Sequence, residues 1–176
     1  ENGYTQMKTS QDIVDLYEDN VYRSMADMGM TEEEINRVLA VYNVKQGALM
    51  DQIRLFPGIR ETFAELARRH QIYIITSNTA DAVAGMLKNR GVTGVKKVMG
   101  SETAKSKIKK IHMAMSWHPD LKAYYVGDTK GDIYEGRKAG TITVGVAWGW
   151  HGAKRLAESC PDHVAHAPGE LVEILE

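Results

Sequence analysis

Two aspartates, Asp128 and Asp132, stand four residues apart in "YYVGDTKGDIYEGRKAG" (124–140), behind an apolar run that stops at Gly127. Two carboxylates on a short loop eased by Gly127 and Gly131 can hold a hard divalent cation through oxygen. Mg²⁺ suits such a site, because it keeps several waters and takes only a few carboxylates. The same spacing also fits a plain helix N-terminus, where the macrodipole favours acids. Thr76 and Ser77, followed by Asn78, end a second apolar run, "QIYIIT", just before a helical pattern. Hydroxyls and free backbone N–H groups at a helix start form an anion site suited to phosphate. Ordinary N-capping by Ser77 or Asn78 would explain them equally. Lys105 and Lys107 open a third helical pattern. A lysine there opposes the macrodipole, which points to an anionic partner. A solvated basic stretch is the plainer reading, because Lys109 and Lys110 follow.

Other polar residues carry less. His163 and His166 flank a short strand-like piece without the remaining ligands of a zinc site. The glycine-rich "WGWHG" (148–152) sits at a strand end, where it lines the site or simply packs. Cys160 is the single cysteine, so no internal disulfide forms, and a reduced thiol in a cytoplasmic compartment fits best.

The pattern between these groups says what must position them. Residues 11–53 read as helix throughout. Ile13, Leu16, Tyr17, Val21, Met25 and Met28 recur at helical spacing, Gly29 is a stop, and Thr31 with Glu34 forms a capping box for the next helix. From residue 54 onward helix and strand alternate. A helix carries Ile59, Phe63, Leu66 and Ala67 on one face. "QIYIIT" is apolar on both faces, as a buried parallel strand is. Further strands are expected at "VKKVMG", "KAYYVG", "TITVGVAWG" and "HVAHA", with helices between them and a closing helix at "GELVEILE". The expectation is an α/β fold: a Rossmann-like parallel sheet with helices on both faces (54–176), plus a small all-helical cap (11–53). Such sheets place their chemistry beyond the carboxyl ends of the strands. Those are the loops that carry Thr76, the lysines and the aspartates.

Bulk properties exclude some functions. The 176 residues carry 22 basic and 23 acidic side chains, a net charge of −1. That gives no electrostatic case for nucleic acid or an anionic membrane surface. No apolar run approaches the ~20 residues a membrane span needs, and no basic-then-apolar leader opens the sequence.

Singly, each signal is weak; their order is more specific. A strand ending in Thr, then a lysine, then a strand ending in G-D-x-x-x-D resembles the haloacid-dehalogenase-like phosphohydrolases, from residue 12 to the end. The nearest branch is phosphoglycolate-phosphatase-like, with a helical cap. "FPGIRETFAELARRHQIYIITSN" looks like its return from cap to core and its second motif. "YYVGDTKGDIYEGRKAG" looks like its fourth, and "ITVGVAWGWHG" with "PDHVAHAPGELVEIL" like its usual ending. The resemblance implies that Thr76 holds a phosphoryl group, helped by the Ser77 and Asn78 backbone. It implies that Lys105, or alternatively Lys107, neutralises it, and that Asp128 and Asp132 position Mg²⁺, Asp128 more directly. The implied substrate is a small phosphorylated metabolite, phosphoglycolate-like or a sugar phosphate.

That family opens with an apolar strand ending in D-x-D-G-T, whose first aspartate is the nucleophile and whose second is the general acid/base. These 176 residues do not contain it. Only "ENGYT" offers a candidate, with Asn2-Gly3 where Asp-Gly should fall, which puts the nucleophile one position before Glu1. Two expectations follow. The strands ending at Thr76 and Gly127 each show an unpaired edge inside the core, which is costly when buried. The chain as it stands binds Mg²⁺ weakly and turns over poorly or not at all. The alternative is a non-catalytic module that keeps the fold and a phosphate- or Mg²⁺-binding cleft. A phospho-receiver domain fits worse, because its acidic cluster precedes its lysine.

Overall fold

The computed structural model describes residues 8–176; the "ENGYT" candidate lies outside them. Among the described residues there are five strands and nine helices, and from residue 54 onward they alternate as the sequence pattern indicates. The N-terminal part holds α1 (Ser10–Asp15), a 3₁₀ turn (Leu16–Glu18), α2 (Val21–Asp27), α3 (Glu32–Leu49) and a second 3₁₀ turn (Met50–Gln52). The remainder runs α4 (Ile59–Leu66), β1 (Ile72–Ile75), α5 (Ala80–Asn89), β2 (Val95–Met99), α6 (Lys107–Ser116), β3 (Tyr124–Gly127), α7 (Lys130–Lys138), β4 (Ile142–Val146), α8 (Gly152–Ala157), β5 (His163–Ala165) and α9 (Glu170–Ile174). None of these helices is long and apolar enough to cross a membrane.

The expected helical pattern over residues 11–53 differs in one place. The helix expected from Asp12 to Met28 is broken at Asp19–Asn20. Asn20 takes extended backbone and its side chain accepts from the Tyr22 and Arg23 N–H groups, which starts α2 afresh. The capping box of Thr31 and Glu34 forms as the sequence indicates. Leu16, Val21, Tyr22, Met25, Met30 and Ile35 bury one another in an apolar cluster of their own.

All strand pairings are parallel, but among the described residues the sheet is in two parts. β1 pairs with β2 (Ile75 opposite Met99), and β3 pairs with β4 (Gly127 opposite Gly145), which pairs with β5. Every strand of the first part is joined by contiguous chain, and so is every strand of the second. Between the facing edges of β1 and β3 lies a largely apolar cleft of about 590 Å³. Ile72–Ile75 and Ala123–Val126 form its two walls, and Phe63 and Leu66 of α4 with Ile111 and Met115 of α6 also line it. The expected pair of free edges is therefore present. β1 is half-buried along its length rather than fully buried, because its second edge faces this cleft. Among the described residues side-chain packing ties the parts together: Leu66 of α4 packs with Val144, Val146, Ala165, Leu171 and Leu175, and Ile72 and Tyr124 join them.

Candidate active site

The carboxyl ends of β1 and β3 open onto one cleft of about 290 Å³. Thr76, Ser77, Asn78, Lys107, Asp128 and Asp132 all line it. The structure thus brings together every residue named from sequence except Lys105. That lysine precedes the helix cap Ser106. Its ammonium donates to Glu32 (3.0 Å) and Asn36 (2.9 Å) of α3, so it serves the contact between α3 and the loop before α6. Lys107, two positions on, enters the cleft and donates to Asp132 Oδ1 at 2.6 Å.

Asp132 fulfils the plainer of its two readings. It is the third residue of a capping box whose N-cap is Thr129. Its Oδ2 accepts from the Thr129 hydroxyl (2.7 Å) and the Thr129 N–H (3.2 Å), and its own N–H donates to Thr129 Oγ1. Tyr125 adds a longer bond to Oδ1. Burial would raise the Asp132 pKa, but the Lys107 charge and these donors outweigh it, so its carboxyl lies below the ordinary range. Lys107 mirrors this. Burial would lower it, yet Asp132 holds it above an ordinary lysine. The two form a buried ion pair with its hydrogen bonds satisfied. Replacing Thr129 by Ala removes both bonds of the Thr129 hydroxyl, to Asp132 Oδ2 and from the Asp132 N–H, and leaves only the Thr129 N–H bond of the box. A loss of about 1 kcal/mol in unfolding free energy is expected, read from urea denaturation at neutral pH; an unchanged midpoint would contradict the capping role.

Asp128 is placed differently. Its Oδ2 accepts from the Trp150 N–H at 2.8 Å, and among the described residues no lysine or arginine forms an ion pair with it. Burial is the largest influence on it and pushes its pKa up, helped by the Asp132 charge, against the Trp150 N–H and Lys107. A carboxylate turned into a cleft without a bonded cation can serve as ligand to Mg²⁺, with water and phosphate oxygens completing the shell. Asp132, with both oxygens already bonded, fits that role less well. Among the described residues no three His, Cys, Asp or Glu side chains gather into a cage. The donor set therefore fits a cation held mainly by its other ligands.

Two glycines shape this corner by close approach. A Cβ on Gly127 would lie 2.3 Å from Asp132 Cβ, and one on Gly149 would lie 2.2 Å from Asp128 Cβ. Gly127 is needed for this contact rather than for a left-handed turn, since its φ is not positive.

On the β1 side, α5 begins only at Ala80, with Thr79 as its N-cap. Ser77 and Asn78 thus lie in a turn ahead of the helix, not on its first residues. The Asn78 N–H donates to Thr76 Oγ1 at 3.0 Å, while the Ser77 N–H has no partner among the described residues.

Sequence reasoning missed several residues here. Tyr17 and Trp150 meet edge to face across the cleft mouth, 4.9 Å between ring centroids, so "WGWHG" does line the site through Trp150. Burial pushes Tyr17 up to about 12, so it stays neutral. Tyr42 and Gln46 of α3 reach the same cleft. Period-3.6 spacing marks Tyr17 as core, the "WGWHG" loop is open to either reading, and nothing in the sequence points to Tyr42 or Gln46. The N-terminal segment is pinned over the cleft by ion pairs: Glu18 with Lys130 (2.6 Å) and Arg155, and Asp15 with Arg155 (2.7 Å). Asn20 donates to buried Glu135 at 2.9 Å.

The chain is similar to known proteins in sequence and fold. The family model described as haloacid dehalogenase-like hydrolase matches residues 1–146. A phosphoglycolate phosphatase of Synechococcus elongatus is 25% identical over 150 residues, covering 82% of this chain and 70% of that protein. The pyrophosphatase PpaX of Listeria monocytogenes is 30% identical over 153 residues, covering 81% and 68%. A haloacid dehalogenase-like family protein of Streptococcus pneumoniae has the same fold, with a TM-score of 0.77 at 24% identity over 97% of this chain and 83% of that one.

Proposed function

The chain belongs to the haloacid dehalogenase-like hydrolase family, and on that premise we propose that it forms the core and cap of a Mg²⁺-dependent phosphatase acting on a small phosphate monoester in the cytoplasm. The observation that carries this reading is the convergence of Thr76, Lys107 and Asp128 at the ends of β1 and β3. Thr76 and the free Ser77 N–H would take the phosphoryl oxygens. Lys107 would offset their charge, held in place by Asp132. Asp128 would hold Mg²⁺, which supplies charge neutralisation on the phosphate. Residues 11–53 would act as the cap, with Tyr17, Tyr42 and Gln46 facing the substrate and excluding water. The cleft volume of about 290 Å³ supports a small substrate, and the names of the similar phosphatases support a phosphorylated one.

The cleft's carboxylates, among the described residues, are Asp128 and Asp132. In this reading neither is the nucleophile. The nucleophilic aspartate would arrive on an extended apolar strand seated between β1 and β3, whose carboxyl end would emerge between Thr76 and Asp128. The commitment of Asp132 to Lys107 and Thr129 favours one second reading, a phosphate- or Mg²⁺-binding module without turnover.

One experiment separates them. An apolar pentapeptide ending in Asp is joined directly before Glu1, together with Asn2→Asp, and compared with the 176-residue chain. Both are assayed for phosphate release from phosphoglycolate, sugar phosphates and pyrophosphate, in Mg²⁺ and in EDTA. Mg²⁺-dependent release by the extended chain alone is expected. Release by the 176-residue chain would refute the assignment of the nucleophile, and none by either form would favour the binding module.

A further inference from the structure

Lys110 reads in sequence as part of an exposed basic stretch, but it is fully buried. Its ammonium donates to the Thr76 carbonyl at 2.6 Å and to the Gly100 carbonyl at 3.2 Å. Thr76 and Gly100 are the residues that immediately follow β1 and β2. Fixing them has a geometric consequence, because a trans peptide is planar and its C=O and N–H point in opposite directions. No cis peptide occurs in the described chain. With the Thr76 carbonyl turned to Lys110, the Ser77 N–H of the same peptide points away from Lys110, and Ser77 lines the cleft. With the Gly100 carbonyl held likewise, the Ser101 N–H is turned toward the Asn78 carbonyl, to which it donates at 2.8 Å. Lys110 therefore holds the 76–78 turn at both ends, directly at Thr76 and through the Gly100–Ser101 peptide at Asn78. The Asn78 N–H is already used on Thr76 Oγ1, so Ser77 is the backbone donor this turn leaves for a ligand.

We infer that Lys110 is the positioning residue of the anion-binding turn, holding the Ser77 N–H toward the cleft so that it can bond a phosphoryl oxygen. The inference rests on the phosphatase reading for the identity of the anion. Lys110 works one helical turn from Lys107 on α6, and the two lysines grip opposite parts of the sheet. Lys110 holds the ends of β1 and β2, and Lys107 holds Asp132 on α7 beside β3. Burial and the nearby Lys107 charge push Lys110 down to about 8. The neutral amine still has N–H donors for both carbonyls, so the geometry does not depend on its charge.

The test follows backbone amide resonances of the 176-residue chain while inorganic phosphate is added in the presence of Mg²⁺. A saturable shift is expected at Ser77 and at Gly127–Thr129. In Lys110→Met the Ser77 shift should vanish and phosphate affinity fall about tenfold, with the Gly127–Thr129 shifts retained. Lys109→Met, which loses the same charge from an exposed position of α6, should behave as the unaltered chain. A Ser77 response unchanged in Lys110→Met overturns the inference and leaves the phosphatase reading standing. No response anywhere in the unaltered chain overturns both. Should Lys110→Met fail to fold, the Lys110 Nζ resonance of the unaltered chain decides. Phosphate at Ser77 polarises the shared peptide and must move it, and a static Nζ signal beside a moving Ser77 amide overturns the inference.

Discussion

Lys107→Met is expected to destabilise the chain by about 3–5 kcal/mol at pH 7, the usual cost of removing one partner of a buried ion pair. Methionine keeps most of the length and apolar stem, so little packing is lost. What remains is the Asp132 carboxylate, 7% exposed, with its Thr129 bonds but no counter-charge. The pH dependence carries a clear sign. In the unaltered chain Asp132 lies below its ordinary value of 3.8. Its stabilisation is fully present above that value and is lost as pH falls through the lower, folded value. In Lys107→Met the balance tips to burial, so the folded value rises above the unfolded one. The penalty is then largest near neutrality and shrinks as acid protonates the carboxyl. Adding Asp132→Asn, which removes the stranded charge, should recover most of the loss. Urea unfolding at pH 7 and pH 5 checks all three statements. A loss under about 1 kcal/mol at pH 7 would mean that the pair is not buried in solution as it is here.

Asp128→Asn should do the reverse: abolish function while sparing the fold. The amide keeps an oxygen for the Trp150 N–H, so the loop 148–152 stays anchored. Burial already disfavours the charged form of Asp128. Its folded value lies above the unfolded one, so ionised Asp128 costs stability above that folded value, and acid relieves the cost. Removing the charge therefore leaves the unfolding midpoint unchanged or raises it at neutral pH. If Asp128 holds Mg²⁺ as proposed, kcat of the strand-extended form falls at least about 100-fold. Extra Mg²⁺ restores little of it. Steady-state phosphate release and thermal unfolding on the same preparation give the two readings. A variant that keeps near-normal Mg²⁺-dependent turnover would remove Asp128 from the metal site.

Local signals of the sequence carried far in some places. Alternating period marked every strand and helix from residue 54, and Thr31 with Glu34 marked the start of α3, because each is written in a few adjacent residues. The break at Asn20 was hidden by an apolar spacing that runs straight through it. Asp132 shows why a motif can be seen and still be read two ways. Its capping geometry and its place in a cleft share one spacing, and only the position of Lys107 adds the second meaning. Lys105 and Lys107 were indistinguishable because a two-residue offset around the cap Ser106 decides which one turns inward. Lys110 was least legible. Its partners are main-chain carbonyls of Thr76 and Gly100, which no side-chain pattern announces. Tyr17, Tyr42 and Trp150 come together from distant segments, and that meeting depends on how residues 8–53 sit on the core.

The division of the sheet has a mechanical consequence. Thr76 stands on one part and Asp128 on the other, and no strand-to-strand ladder joins the two among the described residues. Backbone ladders fix a spacing rigidly, whereas apolar contacts such as Leu66 on Val144 are non-directional and allow small sliding movements. The width of the cleft is then a soft coordinate, set by side-chain contact and by the single helical turn of α6 that carries Lys107 and Lys110. A strand seated between β1 and β3 would turn that coordinate stiff, so that the same segment that brings the nucleophile would also set the gauge of the site it enters.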